Sequence, residues 1–203
     1  MIYCSRCGGR LQSRIPPGDD RPRFVCTVCS TIHYENPRTV VGCVIEHEGR
    51  ILLCKRAIEP ARGRWTPPAG FLELGEGLQA GALRETWEEA RARARIVSPL
   101  AFLDLSYIGE VFAFFRAELL HPDFEAGEES LEVELFEPDT IPWNEIAFPV
   151  HQFALRLYLE DGTAPRMHMG TLRWSGQGSR FDPDNYALEE RLSLPVGHSG
   201  PQS

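Results

Sequence analysis

Runs of apolar residues predict most of the secondary structure in the middle of the chain. Four runs rich in β-branched, aliphatic and aromatic side chains are separated by turn or helical segments, which favours strands. After Pro149, apolar residues recur at the spacing of a helix that packs one face on a core. Strands and helices in this order predict an α/β fold with a mixed sheet between helices. The strand-like runs are residues 39–45, 50–56, 101–107 and 110–119.

Between the second and third runs, the spacing predicts another helix with two chemically different faces. At about 100° per residue, one face gathers Leu83, Trp87, Ala90 and Ala94, which we expect to pack on the sheet. The opposite face gathers three carboxylates, at Glu85, Glu88 and Glu89. Their repulsion costs about several tenths of a kcal/mol per pair, so we expect a cation to offset it. Carboxylates suit Mg²⁺, although a solvated acidic helix face is the alternative interpretation.

These carboxylates belong to a longer motif that resembles the Nudix box. Six positions match its spacing, namely Gly70, Glu76, Arg84, Glu85, Glu88 and Glu89. Thr86 occupies a position that is usually aliphatic, and Arg91 replaces the closing glycine. Because a glycine stop signal is missing there, we expect the helix to continue through Ala94.

The resemblance implies a fold, an enzyme class and a role for each matched residue. The fold would be a Nudix α/β/α sandwich with a mixed sheet over residues 38–160, and the activity hydrolysis of phosphoanhydride bonds with Mg²⁺ or Mn²⁺. The implied metal ligands are Glu85, Glu88, Glu89 and the carbonyl of Gly70, while Glu76 would orient Arg84. Two candidates remain for the general base: Glu89, and Glu129 in the loop beyond the box.

Cysteine spacing predicts a small metal-stabilised module at the beginning of the chain. Cys4 and Cys7 form one C-x-x-C pair and Cys26 and Cys29 form another, which is typical of a four-thiolate zinc site. Four thiolates leave no open coordination position, so the predicted zinc is structural rather than catalytic. Two disulfides in a secreted module are the alternative, which we expect less because no signal peptide precedes Cys4.

Composition divides the chain into three predicted parts. Residues 1–36 would be the zinc ribbon and residues 37–165 the Nudix hydrolase domain. Residues 166–203 are rich in Gly, Ser, Pro and charged side chains, so we expect a poorly ordered C-terminal tail.

Charge and hydropathy exclude several classes of partner. Lys and Arg number 21 against 29 Asp and Glu, a net charge of −8, so nonspecific nucleic-acid binding is not expected. No apolar stretch approaches the roughly 20 residues that cross a bilayer, so we expect no membrane association. Cys43 and Cys54 remain outside the predicted zinc site, and free thiols favour a reducing, cytoplasmic location.

The choice of substrate is less constrained than the chemistry. A zinc ribbon before a Nudix domain is also typical of NADH pyrophosphatases, but their Ser-Gln-Pro-Trp-Pro-Phe-Pro signature is replaced here by residues 101–107. The chain looks more similar to zinc-ribbon Nudix enzymes that cleave FAD or ADP-ribose to AMP and a second phosphate monoester. Tyr107 and Phe71 are candidates for stacking on a substrate ring. The alternatives are hydrolysis of NADH or of NAD caps, and a non-catalytic role in sensing a nucleotide or binding nucleic acid. The resemblance also implies a possible homodimer, because relatives often form homodimers.

Overall fold

The computed structural model describes residues 1–197 of the chain, which form two compact units divided between Asn36 and Pro37. The first unit contains strands β1 (Leu11–Arg14), β2 (Arg23–Cys26) and β3 (Ile32–His33) in one antiparallel sheet. The second contains β4 (Arg38–His47), β5 (Arg50–Arg56), β6 (Trp65–Thr66), β7 (Ala69–Phe71), α1 (Leu78–Ala90), β8 (Ala94–Leu105), β9 (Glu110–Leu119), β10 (Ser130–Phe136), α2 (Pro149–Asp161), β11 (Arg166–Trp174) and β12 (Tyr186–Pro195). Neither of these helices is long and apolar enough to cross a membrane.

The second unit is built on a nine-stranded mixed sheet. Its main path runs β10-β5-β4-β9-β8-β11-β12, with β6 paired to β5 and β7 paired to β4. The β4–β9 and β8–β11 pairs are parallel, and the other pairs are antiparallel. The centre of the sheet is therefore covered on both faces, because parallel strands need connections that cross over it.

Side chains that alternate along the central strands form two separate cores. On β4, Val41 and Cys43 belong to the cluster that includes Ala82 and Ala90 of α1. The adjacent position Val44 belongs to the other cluster, which includes Leu155 of α2. Successive side chains of a strand point to opposite faces, so an almost continuous apolar run supplies both cores. The predicted α/β/α sandwich is confirmed.

Helix α1 ends earlier than the sequence predicts. Arg91 adopts a left-handed conformation with φ of 49°, and its N–H donates to the carbonyl of Trp87. An αL residue at the end of a helix usually is glycine, but a non-glycine residue can occupy it at some energetic cost. The expectation of a helix through Ala94 is wrong, because Ala94 begins β8.

The buried face of α1 also differs from the predicted one. Trp87 is 42% exposed, and the guanidinium groups of Arg91 and Arg93 lie over its ring. The face against the sheet instead contains Ala82, Thr86, Glu89 and Ala90. Thr86 can be fully buried because its hydroxyl donates to the carbonyl of Ala82 at 2.8 Å.

Residues 166–197 are folded, so the expectation of a poorly ordered tail over this range is wrong. Strand β11 pairs in parallel with β8, and β12 pairs with β11 to extend the sheet. Leu172 on β11 is fully buried in the same core as α2. Strand β8 would otherwise be an open sheet edge, and its unpaired backbone groups are satisfied by β11. Residues 198–203 of the predicted tail lie outside the described residues.

A buried polar cluster connects the hairpin formed by β11 and β12 to the rest of the unit. Asp161 at the end of α2 pairs with Arg116 of β9 and lies 3.1 Å from Nε2 of His168 on β11. The backbone N–H of Arg166 donates to the same carboxylate. Because each group is buried, losing one partner would leave an uncompensated charge or polar atom in the core.

Candidate active site

One cavity of about 610 Å³ lies beside helix α1. Its walls come from strands β4, β5, β7, β8 and β9, from α1, from the start of α2 and from the C-terminal hairpin. Acidic side chains and apolar side chains, both aromatic and aliphatic, line the same cavity. The acidic side chains in the wall are Glu73, Glu85, Glu88, Glu89, Glu110 and Glu129.

Arg84 organises the acidic wall through its guanidinium group. Its Nη1 atom donates to Glu85 and to Glu88, each at 2.8 Å. Its Nε and Nη2 atoms donate to the two oxygens of Glu76 at 3.1 and 2.7 Å. A fifth bond, from Nη2 to the carbonyl of Phe71, ties the helix to strand β7. The planar guanidinium thus holds three carboxylates in fixed positions, which a lysine could not do.

Glu76 supports this arrangement without lining the cavity. Hydrogen bonds from Arg84 lower the pKa of Glu76 to about 2, so its carboxylate stays ionised. Its Oε1 atom also accepts from the backbone N–H of Glu73 at 2.8 Å, which closes the loop before α1. Gly75 within that loop has a φ of 90°, a conformation that favours glycine.

Gly70 is required by a close approach rather than by its backbone conformation. A Cβ atom at this position would lie 2.4 Å from the Cδ atom of Glu85 and 2.5 Å or less from both carboxylate oxygens. The Glu85 carboxylate therefore packs directly against the Cα atom of Gly70 on strand β7.

Glu89 is the most deeply buried carboxylate of the wall. It is 4% exposed, and its Oε2 atom accepts from the backbone N–H of Ala69 at 3.2 Å. Burial is the main cause that raises the pKa of Glu89 to about 8, and the charges of Glu85 and Glu129 contribute in the same direction. Burial also raises the pKa of Glu85. The wall thus contains more negative charge than its surroundings stabilise, and a bound cation would relieve this.

The loop before β10 brings Glu129 to the same wall by packing on the end of α1. The backbone N–H groups of Glu125 and Gly127 donate to the carbonyls of Ala90 and Glu89 at 2.9 and 3.0 Å. A Cβ atom on Gly127 would lie 1.7 Å from the carbonyl oxygen of Glu88, so only glycine permits this contact. The sequence motif does not reveal this role for Gly127, because the contact depends on how the loop folds back.

The proposed ring-binding residues differ in their surroundings. Phe71 is 47% exposed on the cavity wall, with the guanidinium of Arg38 4.8 Å from its ring centre. Tyr107 also lines the cavity, and its hydroxyl lies 2.6 Å from the hydroxyl of Tyr186.

Sequence reasoning also missed several charged and aromatic residues of the cavity wall. Among them are Arg56, His151, Arg180, Phe181 and Tyr186. Burial lowers the pKa of His151 to about 3, so its ring is neutral near pH 7, and its Nδ1 atom lies 2.6 Å from the Thr66 hydroxyl. None belongs to a spaced motif. The last three come from a segment whose composition suggested disorder.

In the first unit, the four cysteines of the predicted zinc site lie together. Their sulfur atoms are all within 4.8 Å of one another, and no pair forms a disulfide. Backbone N–H groups of Cys29 and Val28 donate to the sulfur of Cys26 and lower its pKa, which favours the thiolate form that binds metal. The Nε2 atom of His33 lies 3.3 Å from the sulfur of Cys4, outside the four-cysteine group.

Comparison with known proteins gives consistent results for both units. Residues 3–35 match the Nudix N-terminal zinc-ribbon family, and residues 36–159 match the NUDIX domain family. A crystal structure of a Nudix hydrolase from Nitrosomonas europaea is 51% identical, covers 84% of this chain and 98% of its own, and superposes with a TM-score of 0.81.

Two curated relatives have named activities. A protein named ADP-ribose pyrophosphatase from Methanocaldococcus jannaschii is 29% identical over 62% of this chain and 75% of its own length. A protein named NAD-capped RNA hydrolase NudC from Photobacterium profundum is 28% identical over 62% of this chain, but the match spans only 44% of its length. The matched domain, which contains the Arg84 cluster, establishes that this chain belongs to the Nudix hydrolase family.

Proposed function

We propose that this protein is a pyrophosphohydrolase that depends on Mg²⁺ or Mn²⁺ and cleaves FAD or ADP-ribose to AMP and a second phosphate monoester. The observation that carries this proposal is the wall of carboxylates held by Arg84, in which Glu85, Glu88 and Glu89 face one cavity. A non-catalytic nucleotide sensor would have no need for this concentration of buried negative charge. The name of the archaeal relative supports ADP-ribose as one substrate.

The side chains present fit a hard divalent cation. Glu85, Glu88 and Glu89 would hold it through carboxylate oxygens, and Gly70 would contribute its carbonyl. The elevated pKa values of Glu85 and Glu89 fit this assignment, because a cation would stabilise their ionised forms. When bound, such a cation neutralises charge on phosphate oxygens and lowers the pKa of water.

The remaining chemistry is assigned to the protein's own groups. A water molecule attacks one phosphorus, the bridging P–O bond breaks, and a carboxylate accepts the proton from water. Glu129 is our preferred base, because it lines the acidic wall and is not among the proposed metal ligands. Glu89 is the second candidate, but its carboxylate accepts from the backbone N–H of Ala69 and is assigned to the cation. Arg56 adds a positive charge to the same wall and suits a phosphate oxygen of the substrate.

The chromatographic assay that tests this proposal compares four substrates. FAD, ADP-ribose, NADH and NAD-capped RNA are incubated with the full chain and either MgCl₂, MnCl₂ or EDTA. We expect AMP from FAD or ADP-ribose with metal and none with EDTA. Products from NADH or capped RNA alone would favour the activity named for the NudC relative. No product from any substrate would reject a pyrophosphohydrolase.

For the first unit, we propose a structural Zn²⁺ bound by Cys4, Cys7, Cys26 and Cys29. The clustered sulfurs and the N–H bonds to Cys26 support this assignment. We further propose a reducing, cytoplasmic location, since none of the six cysteines forms a disulfide. We also propose a homodimer, as the family resemblance implies, and light scattering of the purified protein would test it.

A further inference from the structure

We propose that the β11–β12 hairpin binds the flat heterocyclic ring of the nucleotide substrate, with the Arg180 guanidinium as its stacking surface. Arg180, Phe181 and Tyr186 all line the cavity, and all lie beyond residue 159, where the match to the NUDIX domain ends. The proposal rests on the proposed function, because it assigns the second half of the same cavity.

Arg180 is held on aromatic rings rather than by an acidic partner. Its guanidinium carbon lies 4.7 Å from the ring centre of Trp174 and 5.6 Å from that of Tyr107. Tyr107 lines the cavity, whereas Trp174 is outside the cavity lining. Among residues 1–197, no ion pair involves Arg180. A planar cation stacked in this way suits a further flat ring.

A chain of hydroxyl groups fixes the backbone at Arg180. The hydroxyl of Tyr186 donates to the carbonyl of Arg180 at 3.0 Å. Because that proton is used, the 2.6 Å contact between the two tyrosines requires the hydroxyl of Tyr107 to donate to Tyr186. Tyr186 is therefore a positioning residue, and the ordered backbone lowers the entropy lost when a ligand binds.

The cavity offers two kinds of surface to a nucleotide. The carboxylates and Arg84 supply charged groups, and Ile58, Leu105 and Ile108 supply apolar surface in the same cavity. The carboxylates would hold a cation that neutralises a diphosphate, and an aromatic heterocycle fits apolar and cationic surroundings. The competing explanation is that Arg180 binds a phosphate as a simple positive charge.

A comparison of Arg180→Ala with Arg180→Lys separates stacking from charge. Calorimetry measures binding of AMP, FMN and ribose 5-phosphate to the full chain with MgCl₂; none of these contains a phosphoanhydride, so no turnover occurs. We expect both variants to weaken binding of AMP or FMN by roughly tenfold, the size of one base–aromatic stack. Ribose 5-phosphate, which has no heterocyclic ring, should bind both variants as it binds the wild type. Arg173→Ala is the matched control, because Arg173 lies on the same hairpin outside the cavity and pairs with Glu189.

Three results would overturn the proposal: wild-type affinity in Arg180→Lys, an equal loss for ribose 5-phosphate, or no binding of AMP and FMN to the wild type. The two proposals fail separately. If the ring-dependent differences appear but no dinucleotide is hydrolysed, the pyrophosphohydrolase assignment fails and the ring site stands. If ADP-ribose or FAD is hydrolysed and both Arg180 variants bind AMP and FMN normally, only the ring site fails.

Discussion

Replacing Glu89 by Gln should stabilise the metal-free protein while abolishing hydrolysis. Glu89 is buried, and burial raises its pKa from an ordinary value of 4.5 to about 8. Gln has nearly the same shape, and its amide oxygen can still accept the hydrogen bond from Ala69. The substitution therefore removes the ionisable group without creating a cavity.

The magnitude follows from the linkage between protonation and folding. The unfolded chain loses this proton near pH 4.5, and the folded protein keeps it until about pH 8. Below pH 4.5, Glu89 is protonated in both the folded and the unfolded state, so it does not change the free energy of unfolding. As the pH rises from 4.5 towards 8, the free energy of unfolding falls. One pKa unit corresponds to about 1.36 kcal/mol. Glu89 therefore lowers the free energy of unfolding by less than about 1 kcal/mol at pH 5 and by about 3 kcal/mol at pH 7.

Urea unfolding in EDTA at pH 5, 7 and 9 measures this effect. We expect the free energy of unfolding of Glu89→Gln to exceed that of the wild type by about 3 kcal/mol at pH 7 and by less than about 1 kcal/mol at pH 5. Glu88→Gln is the control, because the Glu88 side chain is 50% exposed. Parallel pH dependence of the wild type and Glu89→Gln would refute the reasoning about burial. Near-normal turnover of FAD or ADP-ribose by Glu89→Gln would refute its role as a metal ligand.

Three further substitutions test other parts of the structure. Gly70→Ala should reduce hydrolysis by about 100-fold, because the added methyl group displaces the Glu85 carboxylate by about 1 Å. The melting temperature of this variant should change little, since the flexible end of the Glu85 side chain can move. Gly127→Ala should lower stability by about 1–3 kcal/mol in thermal unfolding, because its Cβ meets the backbone carbonyl of Glu88. Cys26→Ser should abolish stoichiometric zinc in elemental analysis and lower the melting temperature, with a smaller effect on turnover per folded molecule.

Each of these three predictions has an outcome that would contradict it. Gly77→Ala is the control for both glycine variants, because a Cβ atom there would meet nothing within 4 Å. Equal losses of activity in Gly70→Ala and Gly77→Ala would contradict the close approach to Glu85. Wild-type stability in Gly127→Ala would contradict the packing of its loop on α1. Equal melting temperatures of the wild type with and without zinc would contradict a structural site at Cys26.

The sequence predicted the elements whose signals are local. The strand-like runs at 39–45 and 110–119 correspond to β4 and β9, because their apolar residues fill the two faces of one strand. The position of the helix that carries Glu85 and Glu88 was predicted from three- and four-residue spacing. Its end at Arg91 was not predicted, because an arginine adopts the left-handed conformation that glycine usually takes.

The C-terminal hairpin shows why composition alone was misleading. Residues 166–195 contain turn-forming and charged residues, but β11 completes an edge that β8 would otherwise leave open. Its stability depends on the buried Asp161 cluster, whose members lie 5 to 50 positions apart in the sequence. Such contacts have no local signal, so the hairpin and its cavity residues could be identified only after folding.

Residue spacing was sufficient to identify the two motifs of this protein, a carboxylate-rich Nudix motif and a four-cysteine ribbon, because the residues of each motif occur at fixed intervals in one continuous stretch of chain. The surroundings of those groups depended on tertiary structure. Glu89 acquires its high pKa by burial beneath β7, and Glu129 reaches the acidic wall because its loop packs on α1. Desolvation and proximity arise from segments far apart in the chain, so local spacing cannot specify them.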